Sequence, residues 1–266
     1  MKTKIIILVL LFVSAPLFGQ YEFINIWNGN APGTKNTAEE EKYSDERFWT
    51  VNQPGLVFYK ARESKGITML VLPGGGYHHL AFVKEGVTIA KWLNNLGIDA
   101  YVLKYRLNPE DALDDAQRAV CYVRRKAKND KIGAIGFSAG GHLAANVMLS
   151  PKRIFVDSID NQNFKPDFAA LIYPWLQNLY EKVKEELPPL FIAHAADDTR
   201  VPVRESLNFI DACVKINVYP EAHIFFEGSH GFGMEKEGGY AASEWTSLFE
   251  KWLVNKGILN VTGDKK

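Results

Sequence analysis

The pentapeptide Gly136-Phe137-Ser138-Ala139-Gly140 constrains this chain more than any other stretch. It stands between Lys131 to Ile135, a run that reads as a buried strand, and Gly141 to Leu149, which reads as a helix. G-x-S-x-G on a strand-to-helix corner is the nucleophile-elbow motif, in which the central serine sits on a tight, strained turn that lifts its hydroxyl above the sheet edge. Glycines two residues to either side are needed where strand and helix pass too closely for a Cβ. Ser138 also falls at a helix N-terminus, where N–H groups and the macrodipole favour developing negative charge. The plainer reading is a glycine-rich turn that happens to hold a serine, and the strand–turn–helix setting argues against it.

An elbow serine needs a base and an acid, which follow it in the chain as Asp or Glu and then His. Beyond His142 the histidines are His194, His223 and His230. His230 lies in Glu227-Gly228-Ser229-His230-Gly231-Phe232-Gly233, after the strand-like Ala222 to Phe226, where flanking glycines let a loop swing an imidazole over a strand end. His223 opens that strand and His194 closes another, so both read as structural or rim residues, and His230 is the expected base. The acid is expected after the apolar strand Leu190 to His194, in Ala195-Ala196-Asp197-Asp198-Thr199-Arg200-Val201-Pro202. Two aspartates compete there. Behind them Val201 can anchor the loop in the core and Pro202 can open the next helix, where a missing N–H costs nothing.

Upstream, the apolar strand Ile67 to Leu72 runs into Pro73-Gly74-Gly75-Gly76-Tyr77. Consecutive glycines let backbone N–H groups converge on an anion. The segment matches the HGGG-type oxyanion loop with Pro73 in the histidine's place, so Gly75, Gly76 and the N–H of Ala139 are the expected oxyanion donors. A phosphate loop is disfavoured, because no Gly-Lys-Ser/Thr follows and no G-x-G-x-x-G opens the next helix.

The 266 residues, 47% hydrophobic, suit one sizeable core. Lys2 and Lys4 precede the apolar stretch Ile5 to Val13, and small residues follow near Gly19: residues 1–19 read as a secretory signal peptide, too short in their apolar run to span a membrane. The expectation is an exported protein, periplasmic or secreted, with a single domain over 20–266. Formal charge is zero and turns slightly negative on cleavage, which offers nothing to nucleic acid or to an anionic membrane. Cys121 and Cys213 fall in helix interiors and read as buried free thiols. No Cys/His cluster has metal-ligand spacing, and the adjacent His78-His79 cannot converge on one ion, so neither metal nor cofactor is expected, and the pair reads as pocket rim.

Along the chain, Tyr21 to Asn28 reads as an edge strand. Gly29 to Ser44, including Glu39-Glu40-Glu41, reads as a solvated surface loop. Strands then alternate with helices: strands at 55–61 and 67–72, helix 83–96, strand 98–105, helix 111–128, strands 168–173 and 190–194, helix 203–215, strand 222–226 and helix 240–255. Continuous apolar strands separated by helices imply a mostly parallel sheet flanked by helices on both faces. The polar tail from Gly257 is expected to fray.

Taken together, Leu72 to Tyr77, Lys84-Glu85-Gly86, Leu103 to Arg106, Asp115 to Ala119, Gly136 to Leu143, Asp197 to Pro202 and Gly228 to Gly233 resemble the α/β-hydrolase superfamily, and within it small exported carbohydrate esterases of the acetylxylan esterase type, some of which carry the label xylanase. Arg204 departs from an acidic position of that group. The resemblance implies an α/β-hydrolase fold and a serine esterase with Ser138, Asp198 and His230 as triad, acting on an acylated carbohydrate or small ester. A feruloyl or other short-chain esterase, a peptidase of the same fold and a non-catalytic binding module are the alternatives. The last usually lacks Ser or His, and the peptidase usually carries a cap for which this chain has no length. Xylan-backbone hydrolysis lacks a motivated carboxylate pair. Tyr77, Trp175 and Phe232 are candidates for stacking on sugar rings, or equally for walling the core.

Overall fold

The computed structural model describes residues 21–33, 40–128, 130–184, 187–234 and 241–260. The expected signal peptide, Glu39, Tyr240 and the end of the tail lie outside them.

The chain forms strands β1 (Ile24–Asn25), β2 (Tyr43–Ser44), β3 (Arg47–Phe48), β4 (Gly55–Tyr59) and β5 (Ile67–Leu72), then helix α1 (Thr88–Asn95). Next come β6 (Asp99–Lys104), α2 (Pro109–Lys126), β7 (Lys131–Phe137), α3 (Ala139–Leu149), β8 (Phe168–Ile172), β9 (Leu190–Ala195), α4 (Val203–Lys215), β10 (Glu221–Phe225) and α5 (Trp245–Asn255). Eight strands make one sheet in the order β1-β4-β6-β5-β7-β8-β9-β10. From β6 to β10 every pairing is parallel, and β4 alone runs against its neighbours. All residues of β5, β8 and β9 are buried. They are almost wholly apolar, Thr68 and His194 excepted, because helices cover both faces. Trp92 of α1 meets Trp245 and Phe249 of α5 on one face, while α2 and α3 pack together on the other. Strand order reverses between β5 and β7, and the crevice beyond their carboxyl ends is where ligands bind in open α/β sheets.

Several expectations are corrected. Of the edge strand proposed for Tyr21 to Asn28, only Ile24 and Asn25 pair, with Leu56 and Gly55; Trp27 turns inward and donates its indole N–H to buried Asp115. The surface loop ends in a ribbon, β2 against β3. Within it Glu41 is no solvated charge: it accepts the N–H groups of Asn52 and Gln53 and pairs with Lys104 at 2.5 Å. The helix expected from Val83 opens with one π turn, Val83–Val87. Helix α2 starts earlier than the apolar pattern shows, because the Asn108 side chain caps Glu110 and Asp111. Ile258 and Leu259 are buried, their N–H groups donating to Leu253, so that part of the tail is anchored. Cys121 and Cys213 are buried free thiols.

Candidate active site

Ser138 follows β7 with φ 51° and ψ −115°, a conformation that costs a non-glycine residue free energy and persists only when its surroundings impose it. They do. A Cβ on Gly136 would lie 2.2 Å from the Gly140 carbonyl oxygen, and one on Gly140 2.0 Å from that of Leu72. The Ser138 N–H donates to Ile172, and its carbonyl accepts from His142 and Trp175. The corner is thereby pinned to β8 and to the segment that follows it.

The Ser138 hydroxyl lies 2.9 Å from His230 Nε2, and His230 Nδ1 lies 2.7 Å from Asp198 Oδ2. Residues 92 and 32 positions apart in the chain thus form one hydrogen-bonded series. Asp198 is held from every side. Its Oδ1 accepts the N–H groups of Arg200 and Val201 at 2.9 Å each, and His194 Nε2 stands 3.2 Å from Oδ2. Burial pushes this carboxyl up, but the hydrogen bonds from His194, His230 and Val201 outweigh burial, leaving it well below the usual carboxylate range. Asp197 points elsewhere: its Oδ1 accepts the Ser229 N–H at 2.8 Å and braces the loop that carries His230. His194 is fully buried between Asp198 and the Ser206 hydroxyl.

Opposite the serine, Gly75 (φ 135°) and Gly76 (φ 65°) turn the loop after β5. The Gly75 carbonyl is taken by the N–H groups of His78 and His79. Among the described residues nothing accepts the N–H groups of Gly75, Gly76 or Ala139, and all three residues line the cavity around Ser138.

Sequence reading missed what holds this loop. Glu85, buried on the π turn, accepts the Gly74 N–H on one oxygen (2.7 Å) and the Tyr173 hydroxyl on the other (3.0 Å). Burial pushes its carboxyl up, against the pull of those two bonds. Its one sequence signal was membership of the Lys84-Glu85-Gly86 block.

The cavity has a volume of about 620 Å³ and is lined largely by Arg, Lys, His and Gly, with Trp175 as its aromatic wall. His78 and His79 line it too, while Arg204 stands outside on α4. Tyr77 and Phe232 are not in its lining. Phe232 turns inward against Tyr173, ring centroids 4.6 Å apart, and Tyr77 is 8% exposed with its hydroxyl 2.8 Å from His142 Nδ1. A larger cavity of about 760 Å³ beside β4, walled by Tyr21, Tyr43 and Tyr59, contains no serine–histidine pair.

His142 connects this loop to the helix: it touches Tyr77, packs against Trp175 with ring centroids 4.9 Å apart at a 31° tilt, and meets Asn146. Burial, helped by the charge of Lys182, lowers its pKa to about 4. The unfolded chain therefore takes up this proton first. His142 contributes stability in full above pH ~6.5, and that contribution is lost as pH falls from there through about 4, up to roughly 3 kcal/mol. Melting temperature should drop across this window in the wild type, and less steeply in His142→Gln. Parallel melting curves from pH 7 to 4 check this.

Fold and site together define a hydrolase-type α/β enzyme architecture. The chain belongs to the α/β-hydrolase fold family, whose sequence pattern matches residues 69–216. It is similar to an acetyl ester-xyloside bifunctional hydrolase from Caldicellulosiruptor lactoaceticus, with 32% identity and a TM-score of 0.73 over 90% of this chain and 97% of that one. An acetylxylan esterase of Xylanibacter ruminicola is 28% identical over 67% of this chain and 43% of its own length. Endo-1,4-beta-xylanase B of Butyrivibrio fibrisolvens is 26% identical over 80% of this chain and 40% of its own. The chain thus spans less than half the length of these last two relatives.

Proposed function

We propose that this chain is an exported serine carboxylesterase that removes acetyl groups from xylan-type oligosaccharides through an acyl-enzyme. One observation carries the reading: the Ser138–His230–Asp198 series faces three N–H groups that have no acceptor of their own among the described residues. His230 takes the Ser138 proton as Oγ attacks the ester carbonyl. Asp198 holds the imidazole in the Nδ1–H tautomer and stabilises the imidazolium. The carbonyl oxygen becomes an oxyanion within reach of Gly75, Gly76 and Ala139. His230 then gives its proton to the leaving sugar hydroxyl and activates the water that releases acetate. The acetylxylan esterase and acetyl ester-xyloside hydrolase relatives support the acetyl-sugar substrate.

Cleavage of a glycosidic bond is the competing activity. It takes two carboxyl groups flanking the bond, and the carboxyl in the cavity lining, Glu85, is already bound by Gly74 and Tyr173. Incubation with acetylated xylan, measuring acetate and reducing ends together, separates the two: acetate without new reducing ends is expected, and the reverse would overturn the reading.

A cavity lined mainly by cations, imidazoles and glycines, with Ala81, Ala139 and Val201 as its aliphatic residues, also offers a long acyl chain little surface to bury against. Aryl acetate should exceed aryl octanoate in kcat/KM by at least about tenfold, on the order of the 1–3 kcal/mol that separates matched from mismatched acyl groups.

A further inference from the structure

The chain carries equal numbers of cationic and anionic side chains, 31 of each. Among the described residues its cavity does not share that balance: Arg47 and Arg200 line it, with Glu85 as the carboxyl group of the lining. The two arginines reach the cavity from distant parts of the fold. Arg47 lies on β3 of the small ribbon, and Arg200 lies in the loop after β9, between Asp198 and Val201. Among the described residues no carboxylate oxygen comes within 4.0 Å of either guanidinium; Arg47 Nη1 donates to the Asp45 carbonyl at 3.0 Å. Glu85 does not serve them. It is buried, both of its oxygens are engaged by Gly74 and Tyr173, and burial favours its protonated form. The field of Arg47 is felt inside the site, where burial first, and then the charges of Arg47 and His78, lower the pKa of His79.

Guanidinium groups present a planar fork of donors that matches a carboxylate, and in a concave site their field is focused rather than dispersed. A neutral acetylated xylan chain offers nothing to that fork. An acetyl group carries no charge, so an anionic partner must reside on the alcohol side of the ester. We propose, resting on the esterase reading of this same cavity, that its substrates are acetylated oligosaccharides bearing a uronic-acid carboxylate close to the acetylated sugar, recognised by Arg47 and Arg200. The carboxylate draws the chain in and fixes its register, so that the neighbouring acetyl carbonyl meets Ser138.

Acetate release is measured from acetylated xylo-oligosaccharides with a glucuronic-acid branch, from the same oligosaccharides with that carboxyl reduced to the alcohol, and from unbranched ones. In low salt, kcat/KM should be at least about tenfold higher for the acid-bearing substrate than for its reduced counterpart, as expected for one charge-assisted contact. The ratio should shrink in about 0.5 M NaCl. It should fall to within about twofold in the double variant Arg47→Gln, Arg200→Gln, with circular dichroism verifying that it folds. A wild-type ratio at or below one, with the neutral substrates turned over, overturns the proposal and leaves the esterase reading intact. A ratio that the double variant preserves overturns the assignment to these arginines. Preference for an aryl hemisuccinate over an aryl acetate, with indifference to the sugar carboxylate, places the anion on the acyl side and also overturns it. No acetate from any of these substrates, with Ser138 unlabelled by a fluorophosphonate, removes the esterase reading itself.

Discussion

Ser138→Ala is expected to abolish ester turnover, lowering kcat by roughly 10⁴ to 10⁶, the range seen when the nucleophile of a serine triad is removed. The loss is chemical rather than structural. Among the described residues the Ser138 side chain has one hydrogen-bond partner, His230 Nε2, while its backbone N–H and carbonyl anchor the elbow to Ile172, His142 and Trp175. Alanine keeps those backbone bonds and adopts the same positive φ at similar cost, since both residues carry a Cβ. Melting temperature should therefore change by no more than about 2 °C, a few tenths of a kcal/mol for a domain of this size. A fluorophosphonate should label the wild type at a single serine and leave the variant unlabelled. Activity within tenfold of wild type, with the variant pure and folded, would reject serine catalysis outright.

The second large effect separates two adjacent carboxylates. Asp198→Asn should lower kcat by about three to four powers of ten, and Asp197→Asn by about tenfold or less. Asp198 is buried and takes His230 Nδ1 at 2.7 Å, so it dictates that Nε2 is the nitrogen left to accept the serine proton. An amide in its place can turn an NH₂ toward Nδ1, which stabilises the opposite tautomer and leaves an N–H facing Ser138. Asp197 works through the backbone, binding the Ser229 N–H beside His230, and its loss loosens the loop without changing proton positions. Kinetics on both variants, with circular dichroism verifying their folds, decide the matter. The larger loss at Asp197 would move the acid by one residue.

Much of the architecture was legible in the chain because its signals are local or periodic. The runs Ile67–Leu72, Phe168–Ile172 and Leu190–Ala195 are buried at every position and apolar but for Thr68 and His194, a pattern that suits strands covered on both faces. The elbow was legible because Gly136 and Gly140 register a backbone approach too close for any side chain. Chain order alone then narrowed the base to three histidines, and loop glycines singled out His230.

What the chain withheld depends on contacts between segments far apart in sequence. Glu85 looks like any charged residue near a helix start, yet sheet pairing brings Gly74 and Tyr173 onto its two oxygens and makes it the buried support of the glycine loop. Glu41 looked solvated until Lys104, 63 residues away, came to pair with it. Phe232 and Tyr77 are aromatic residues at the right loop ends, but their rings pack inward, and Trp175 is the one that reaches the cavity. Arg47 and Arg200 share a wall only because the β2–β3 ribbon is tied through Phe48 to Leu80, in the segment that follows the glycine loop. Sequence by itself determined the main sheet strands from Gly55 onward and the helices between them, the elbow and the order of the candidate reactive groups, since hydrophobic period and glycine sterics act within a few residues. The tertiary structure alone decided which polar side chains are buried, which carboxylate faces the imidazole and where positive charge gathers, because desolvation and Coulomb energies depend on neighbours that only the closed sheet brings together.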